Sequence, residues 1–311
     1  MARRRIGQER LQFGDGAARR SGSLGEIAGL IDWSEIDRHL AVIYASAKGE
    51  PAWPPLSLFK ALLLAVWYDL SDVKLAEALD DRASFRGFCG FAVDEPTPER
   101  TAFVRFRREL VARSLDRDVF EAVTTQLDAR GVVVRTGTLV DATVIASASL
   151  KDDEGCWVGH RRKAPVHGYK AHVASDQHGG IVRAVEITPA NINDGRMLGT
   201  VLPDDPGEVY ADLAYASHAN EERIASSGGR SCLPGRGVWG DQAALARLEA
   251  WNEQVGLVRR RIEKIFGTWK RSYGLRRMRW LGLAKAGLQV RLTAIAYNLR
   301  RSMRILEARA A

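Results

Sequence analysis

At 311 residues the chain is long enough for two domains with sizeable cores. Its composition, 46% hydrophobic and 27% charged, excludes a fibrous or wholly disordered polymer, while a net charge of +8 and a pI near 9.6 point to an anionic partner, nucleic acid first. Three scattered cysteines, Cys89, Cys156 and Cys232, argue against a disulfide framework and for a reducing cytoplasm.

The most apolar run, 61–68, is far too short to span a bilayer, and the basic N-terminus lacks the apolar core of a signal peptide, so a soluble protein without a membrane partner is expected. Residues 1–25 are rich in Arg, Gly and Ser and read as a flexible basic arm. From 26 to 130 the pattern is helical: "LSLFKALLLAVWYDLSDVKLAEALDD" holds long apolar helix formers, with Ser71 marking a capped restart. "DEPTPERTAFVRFRREL" then gives a Pro-bearing turn into a basic helix carrying Arg105, Arg107 and Arg108. These helices form either a helix-turn-helix-like DNA-binding domain or a plain bundle, which helical spacing does not separate.

Between 131 and 240 short β-prone runs take over: "GTLVDATVIAS", "GYKAHVASD", "GIVRAVEITPA" and "EVYADLAYAS", with "DQHGG" marking a hairpin between the second and third. Helices are expected at "NDGRMLGTVL" and "HANEERIASS", with Asn191, Asn193 and Asp194 as caps of the first. Three strands, a helix, a strand and a helix predict an α/β layered sheet. From 241 to about 270 a single long helix follows, because Leu245, Leu248, Trp251, Val255, Val258, Ile262 and Phe266 recur at three and four residues. An amphipathic segment, "AGLQVRLTAIAYNLRRSMRI", closes the chain.

Two aspartates sit in otherwise apolar strands, Asp141 in "TLVDATVI" and Asp212 in "EVYADLAYAS". An unpaired buried carboxylate costs several kcal/mol, so either one alone reads as a hydrogen-bonded structural acid. If the first and fourth strands are neighbours the two lie side by side, and like charges that close call for a cation between them. In "VRRRIEKIFGTWKRSYGLRRMRW" one acid, Glu263, stands among many cations. On a 3.6-residue helix Arg259, Glu263 and Lys270 share one stripe beside the apolar face, which makes Glu263 available to a metal and the flanking cations available to phosphates.

In these contexts the three carboxylates resemble those of the DDE transposases of bacterial insertion sequences, especially the insertion-sequence-five-like group. "LVDATVI" is similar to that group's first-Asp strand, "HGYKAHVASDQHGGIVRAVEITPANINDG" to its strand-hairpin-strand segment, and "VYADLAYAS" to its second-Asp strand. "RRRIEKIFGTWKRSYGLRRMRW" is similar to its Glu helix, with Arg259, Glu263 and Lys270 in the Arg-x3-Glu-x6-Lys spacing. The wider superfamily carries a Tyr three residues before that Arg, where this chain has Gly256. The resemblance runs from about 139 to 299 and extends to the helical N-terminal region.

It implies an RNase H-like catalytic domain over 131–311, a mixed sheet flanked by helices. It further implies that Asp141, Asp212 and Glu263 hold two Mg²⁺ or Mn²⁺ ions. The implied reaction is cleavage of double-stranded DNA at element ends and joining to target DNA, by at least a homodimer. DNA contacts are then expected from Arg259 and Lys270, from Lys170 and His167 near the site, from Arg105, Arg107 and Arg108, and from Arg276, Arg277 and Arg279 of the basic segment. Trp269 and Trp280 read as packing residues, with stacking on an unpaired base as the alternative. Cys156, His160, His167 and His172 are close in sequence, but alternating strand geometry does not converge them on zinc. A catalytically silent or domesticated DNA-binding derivative, and a non-transposing nuclease of the same fold, are the rival readings.

Overall fold

The computed structural model describes residues 23–43, 51–92, 94–160, 163–237 and 240–310; the basic arm expected over 1–25 lies almost wholly outside them. One compact unit takes the chain up to Ala129 together with its end from Arg291, and the other is Arg130–Val290. The expected catalytic segment 131–311 is thus divided.

In the first unit, α1 (Ser23–Ala28), α2 (Trp33–Leu40), α3 (Pro55–Trp67), α4 (Asp72–Asp81), α5 (Ala83–Cys89), α6 (Arg100–Ala112) and α7 (Leu115–Ala129) pack around Phe59, Phe85, Phe103 and Phe106. Helix α3 starts on Pro55 and is apolar nearly all round, so it is buried nearly all round. The restart read at Ser71 is present: its hydroxyl accepts the Lys74 N–H at 3.3 Å and caps α4. Helix α6 turns Arg107 inward, where it is 6% exposed and donates to both carboxylate oxygens of Asp72 at 2.7 and 2.6 Å. A buried guanidinium gripped this way ties α6 to α4, so Arg107 is not presented as a surface cation like Arg105 and Arg108. Arg105 and Arg108 remain exposed.

The last helix, α11 (Leu283–Ala310), explains the division of the chain. Its Arg291 pairs with Asp116 at 2.6 Å and its Ala296 carbonyl accepts the Trp67 indole N–H at 2.8 Å, both within the first unit. Partners this distant in sequence leave no local trace in the residue pattern.

The second unit is built on a six-stranded sheet, β2-β3-β1-β5-β6 with β4 also on β3. Its strands are β1 (Gly137–Ala146), β2 (Cys156–His160), β3 (Lys163–Asp176), β4 (Val182–Pro189), β5 (Glu208–Tyr210) and β6 (Arg230–Ser231). Strands β1, β2, β3 and β4 pair antiparallel, whereas β5 runs parallel to β1 and to β6. The mixed sheet and the adjacency of the first and fourth predicted strands are present; β2 and β6, both short, are additions. The predicted hairpin turn joins β3 to β4, and the Asp176 carboxylate organises it by accepting the N–H groups of His178 at 3.0 Å and Ile181 at 2.7 Å.

Side chains alternate across the sheet, and the two faces carry different helices. Val140, Ala174 and Val209 pack with Leu198 and Val201 of α8 (Leu198–Val201) and Ile224 of α9 (His218–Ser226). The predicted helix at "NDGRMLGTVL" is only a 3-10 turn, Asp194–Met197, followed by the single turn of α8. The opposite face receives α10 (Gln242–Ser272), started by Asp241 at its N-cap and buried through Val255, Ile262, Ile265, Phe266 and Trp269. Trp269 is fully buried against Phe266, which settles it as a packing residue.

Candidate active site

Strand β5 is only three residues long and pairs with β1 no further than Leu139↔Tyr210. Beyond that point the flank of β1 is uncovered until the chain returns at 276–278, where Ala146 N–H donates to Arg276 and Met278 N–H donates to Ala146. Ser147 N–H donates to His167 in the β1–β3 ladder, so by antiparallel alternation the polar groups of residues 142, 144 and 146 turn away from β3. The result is a window in the sheet edge at 142–144. Two side chains fill it: the Asp141 carboxylate accepts the Ala142 N–H at 2.8 Å, and the Lys270 ammonium donates to the Val144 carbonyl at 3.0 Å.

Register places the second aspartate. Two residues on from the pair Leu139↔Tyr210, Asp141 and Asp212 occupy equivalent positions on the face that receives α10. Asp212 caps a 3-10 turn, Leu213–Tyr215, and accepts the Leu213 N–H through one oxygen. The other oxygen of each aspartate faces the same guanidinium: Arg259 of α10 lies 3.7 Å from Asp141 and 3.6 Å from Asp212. Burial pushes the Asp141 carboxyl up to about 6; the Ala142 N–H and Arg259 pull it back, and the charges of Asp212 and Asp194 push it further up. Two hard oxygen donors already aimed at one cation fit a divalent ion such as Mg²⁺ or Mn²⁺.

Glu263 lies one turn beyond Arg259 on α10 and is exposed. Among the described residues no three His, Cys, Asp or Glu side chains are grouped to hold one ion, while Asp141 and Asp212 converge on Arg259. At Gly256, one turn before Arg259, a side chain would enter open space.

The other predicted contacts divide. Lys170 is 8% exposed, paired with Asp194 at 2.7 Å and donating to the Ile192 carbonyl at 2.7 Å, while His167 is 9% exposed with its ring tilted at 57° to that of Trp157. Both expected DNA contacts are thus nearly buried on a strand that is paired on both edges. Arg276 and Arg277 are exposed; Arg277 braces the chain after β1 through the Ser147 carbonyl at 3.0 Å and the Ala148 carbonyl at 2.8 Å. Arg279 is half-buried. His172 hydrogen-bonds Thr188 at 2.9 Å, and burial lowers its pKa to about 4, consistent with a neutral core residue.

One site neighbour escaped the sequence reading. Asp194 was expected to cap a helix, yet Asn193 does that by accepting the Gly195 N–H at 2.9 Å, and Asp194 instead lies close enough to Asp141 to act on its charge. Its position in an Asn/Asp cluster before a helix is the ordinary signature of a cap, and nothing local marks it otherwise.

Comparison with protein families gives two matches: residues 15–109 match the model described as Transposase domain (DUF772), and residues 133–299 match the Transposase DDE domain. No solved structure matches the chain significantly.

Proposed function

Because the chain belongs to the DDE transposase family, whose catalytic domains are in general RNase H-like and use divalent metal ions, we propose that it cuts double-stranded DNA at the ends of an insertion-sequence-five-like element and joins those ends to target DNA. Asp141, Asp212 and Glu263 are the residues assigned to hold two divalent ions. When bound, such ions lower the pKa of an attacking water or 3′-hydroxyl and stabilise the leaving oxygen of an in-line displacement.

The observation that carries this reading is the convergence of Asp141 and Asp212, from neighbouring strands, on one shared cation at 3.7 and 3.6 Å. Arg259 lies between the two carboxylates, where its guanidinium can also take up a phosphate oxygen. Lys270, now on the Val144 carbonyl, is a second phosphate partner at the rim of the window. The exposed Arg105, Arg108, Arg276 and Arg277, with Arg279, extend the DNA contact, and coordinated joining of two ends requires at least a dimer.

Cleavage of a labelled end duplex tests the assignment. Asp141→Asn, Asp212→Asn and Glu263→Gln should each lose at least about a thousandfold in rate at every Mg²⁺ concentration, since several kcal/mol of charge stabilisation goes with the metal. Lys270→Ala should cut, but with activity that falls more steeply with salt than wild type. A folded Asp141→Asn or Asp212→Asn protein that cuts at the wild-type rate would sink the site assignment, and the same result for Glu263→Gln would remove that residue from it.

A further inference from the structure

The 3-10 turn that begins at Asp194 is bolted to the one that Asp212 caps. Asn220, 4% exposed, donates its side-chain amide to the Gly195 carbonyl and to the Tyr215 carbonyl, each at 2.9 Å. Gly195 meanwhile sits so close to the second turn that a Cβ there would lie 2.3 Å from the Ala214 carbonyl oxygen. The turn that carries Asp194 is therefore fastened to the turn that Asp212 caps. Lys170 approaches its carboxylate at 2.7 Å, with side-chain exposures of 10% for the lysine and 30% for the aspartate.

The charge of Asp194 reaches the Asp141 carboxylate and also the Tyr215 hydroxyl, a fully buried group with no hydrogen-bond partner among the described residues. An ion pair that served packing alone would be neutral to its surroundings. This one has an acid whose charge acts on the Asp141 carboxylate, and its single lysine offsets only part of that charge.

We propose that Asp194 is a fourth acid of the reaction centre, a positioning residue whose charge, metered by Lys170, draws a divalent cation to Asp141 and Asp212. The inference rests on the reading of those two aspartates as cation ligands. It has a sign that a structural ion pair lacks: removing the acid must weaken cation binding, and removing its lysine must strengthen it.

The test titrates the full-length protein, without DNA, with Mn²⁺, following the free-ion signal by electron paramagnetic resonance. Asp194→Asn should bind roughly tenfold more weakly than wild type, Asp194→Glu should recover most of that loss, and Lys170→Met should bind more tightly than wild type. If Asp194→Asn misfolds by stranding Lys170, the double variant Lys170→Met/Asp194→Asn removes both buried charges and should bind more weakly than Lys170→Met alone. Wild-type affinity in folded Asp194→Asn, or a loss of the same sign in both single variants, overturns the proposal while leaving Asp141 and Asp212 as ligands, provided Asp141→Asn abolishes binding. Unchanged Mn²⁺ affinity in Asp141→Asn overturns both readings together.

Discussion

Each unit of this molecule contains an arginine held by aspartate, and the two are made differently. In the helical unit Arg107 meets a single carboxylate, Asp72, with two hydrogen bonds at 2.7 and 2.6 Å. In the sheet unit Arg259 stands 3.7 and 3.6 Å from two carboxylates at once, a quarter exposed, with its Nε buried and unpartnered among the described residues. The first arrangement is short and bidentate, and it holds α6 to α4. The second is stretched and shared, and one of its acids, Asp141, resists ionisation. A pair of that kind grips each acid less firmly than Arg107 grips Asp72.

The contrast should be largest in stability. Arg107→Ala leaves Asp72 without its partner and should cost about 3–5 kcal/mol in urea unfolding; a cost under 1 kcal/mol would mean that the two pairs are not different in kind. Asp141→Asn should go the other way. Its acid has a folded value of about 6 against an ordinary 3.8, so the ionised form weighs against folding. The associated stability is fully present below about pH 3.8 and is lost as pH rises through 6. In EDTA at pH 7.5 the asparagine variant should thus be more stable than wild type by about 1–3 kcal/mol, with the gain disappearing near pH 4. Absence of any gain at pH 7.5 would argue that the carboxylate is comfortable where it is. The smallest effect belongs to Arg259→Ala, which should change metal-free stability by about 1 kcal/mol or less, since long, part-exposed ion pairs contribute little.

How far the sequence revealed this follows from how local each feature is. The long helix α10, the Ser71 restart and the hairpin at Asp176 rest on spacings within a few residues, and all were legible. The Asp141–Asp212 pairing was legible as a condition, since it follows once the first and fourth predicted strands are neighbours. Charge was the misleading signal. Arg107 and Lys170 look like any other surface cations until Asp72 and Asp194, 35 and 24 residues away, are found against them. The passage of the last helix from the sheet unit to the helical one depends on Asp116 and Trp67, more than a hundred residues earlier, and leaves no mark in its own residues.

The window in the flank of β1 has a consequence apart from chemistry. A strand edge with free polar groups is an invitation to any extended segment, its own copies included, to add as the next strand. Here the invitation is withdrawn by two side chains, Asp141 on the Ala142 N–H and Lys270 on the Val144 carbonyl. Without these two contacts, this stretch of β1 would be an open β edge, so the same side chains that sit at the candidate site also guard the fold against self-association.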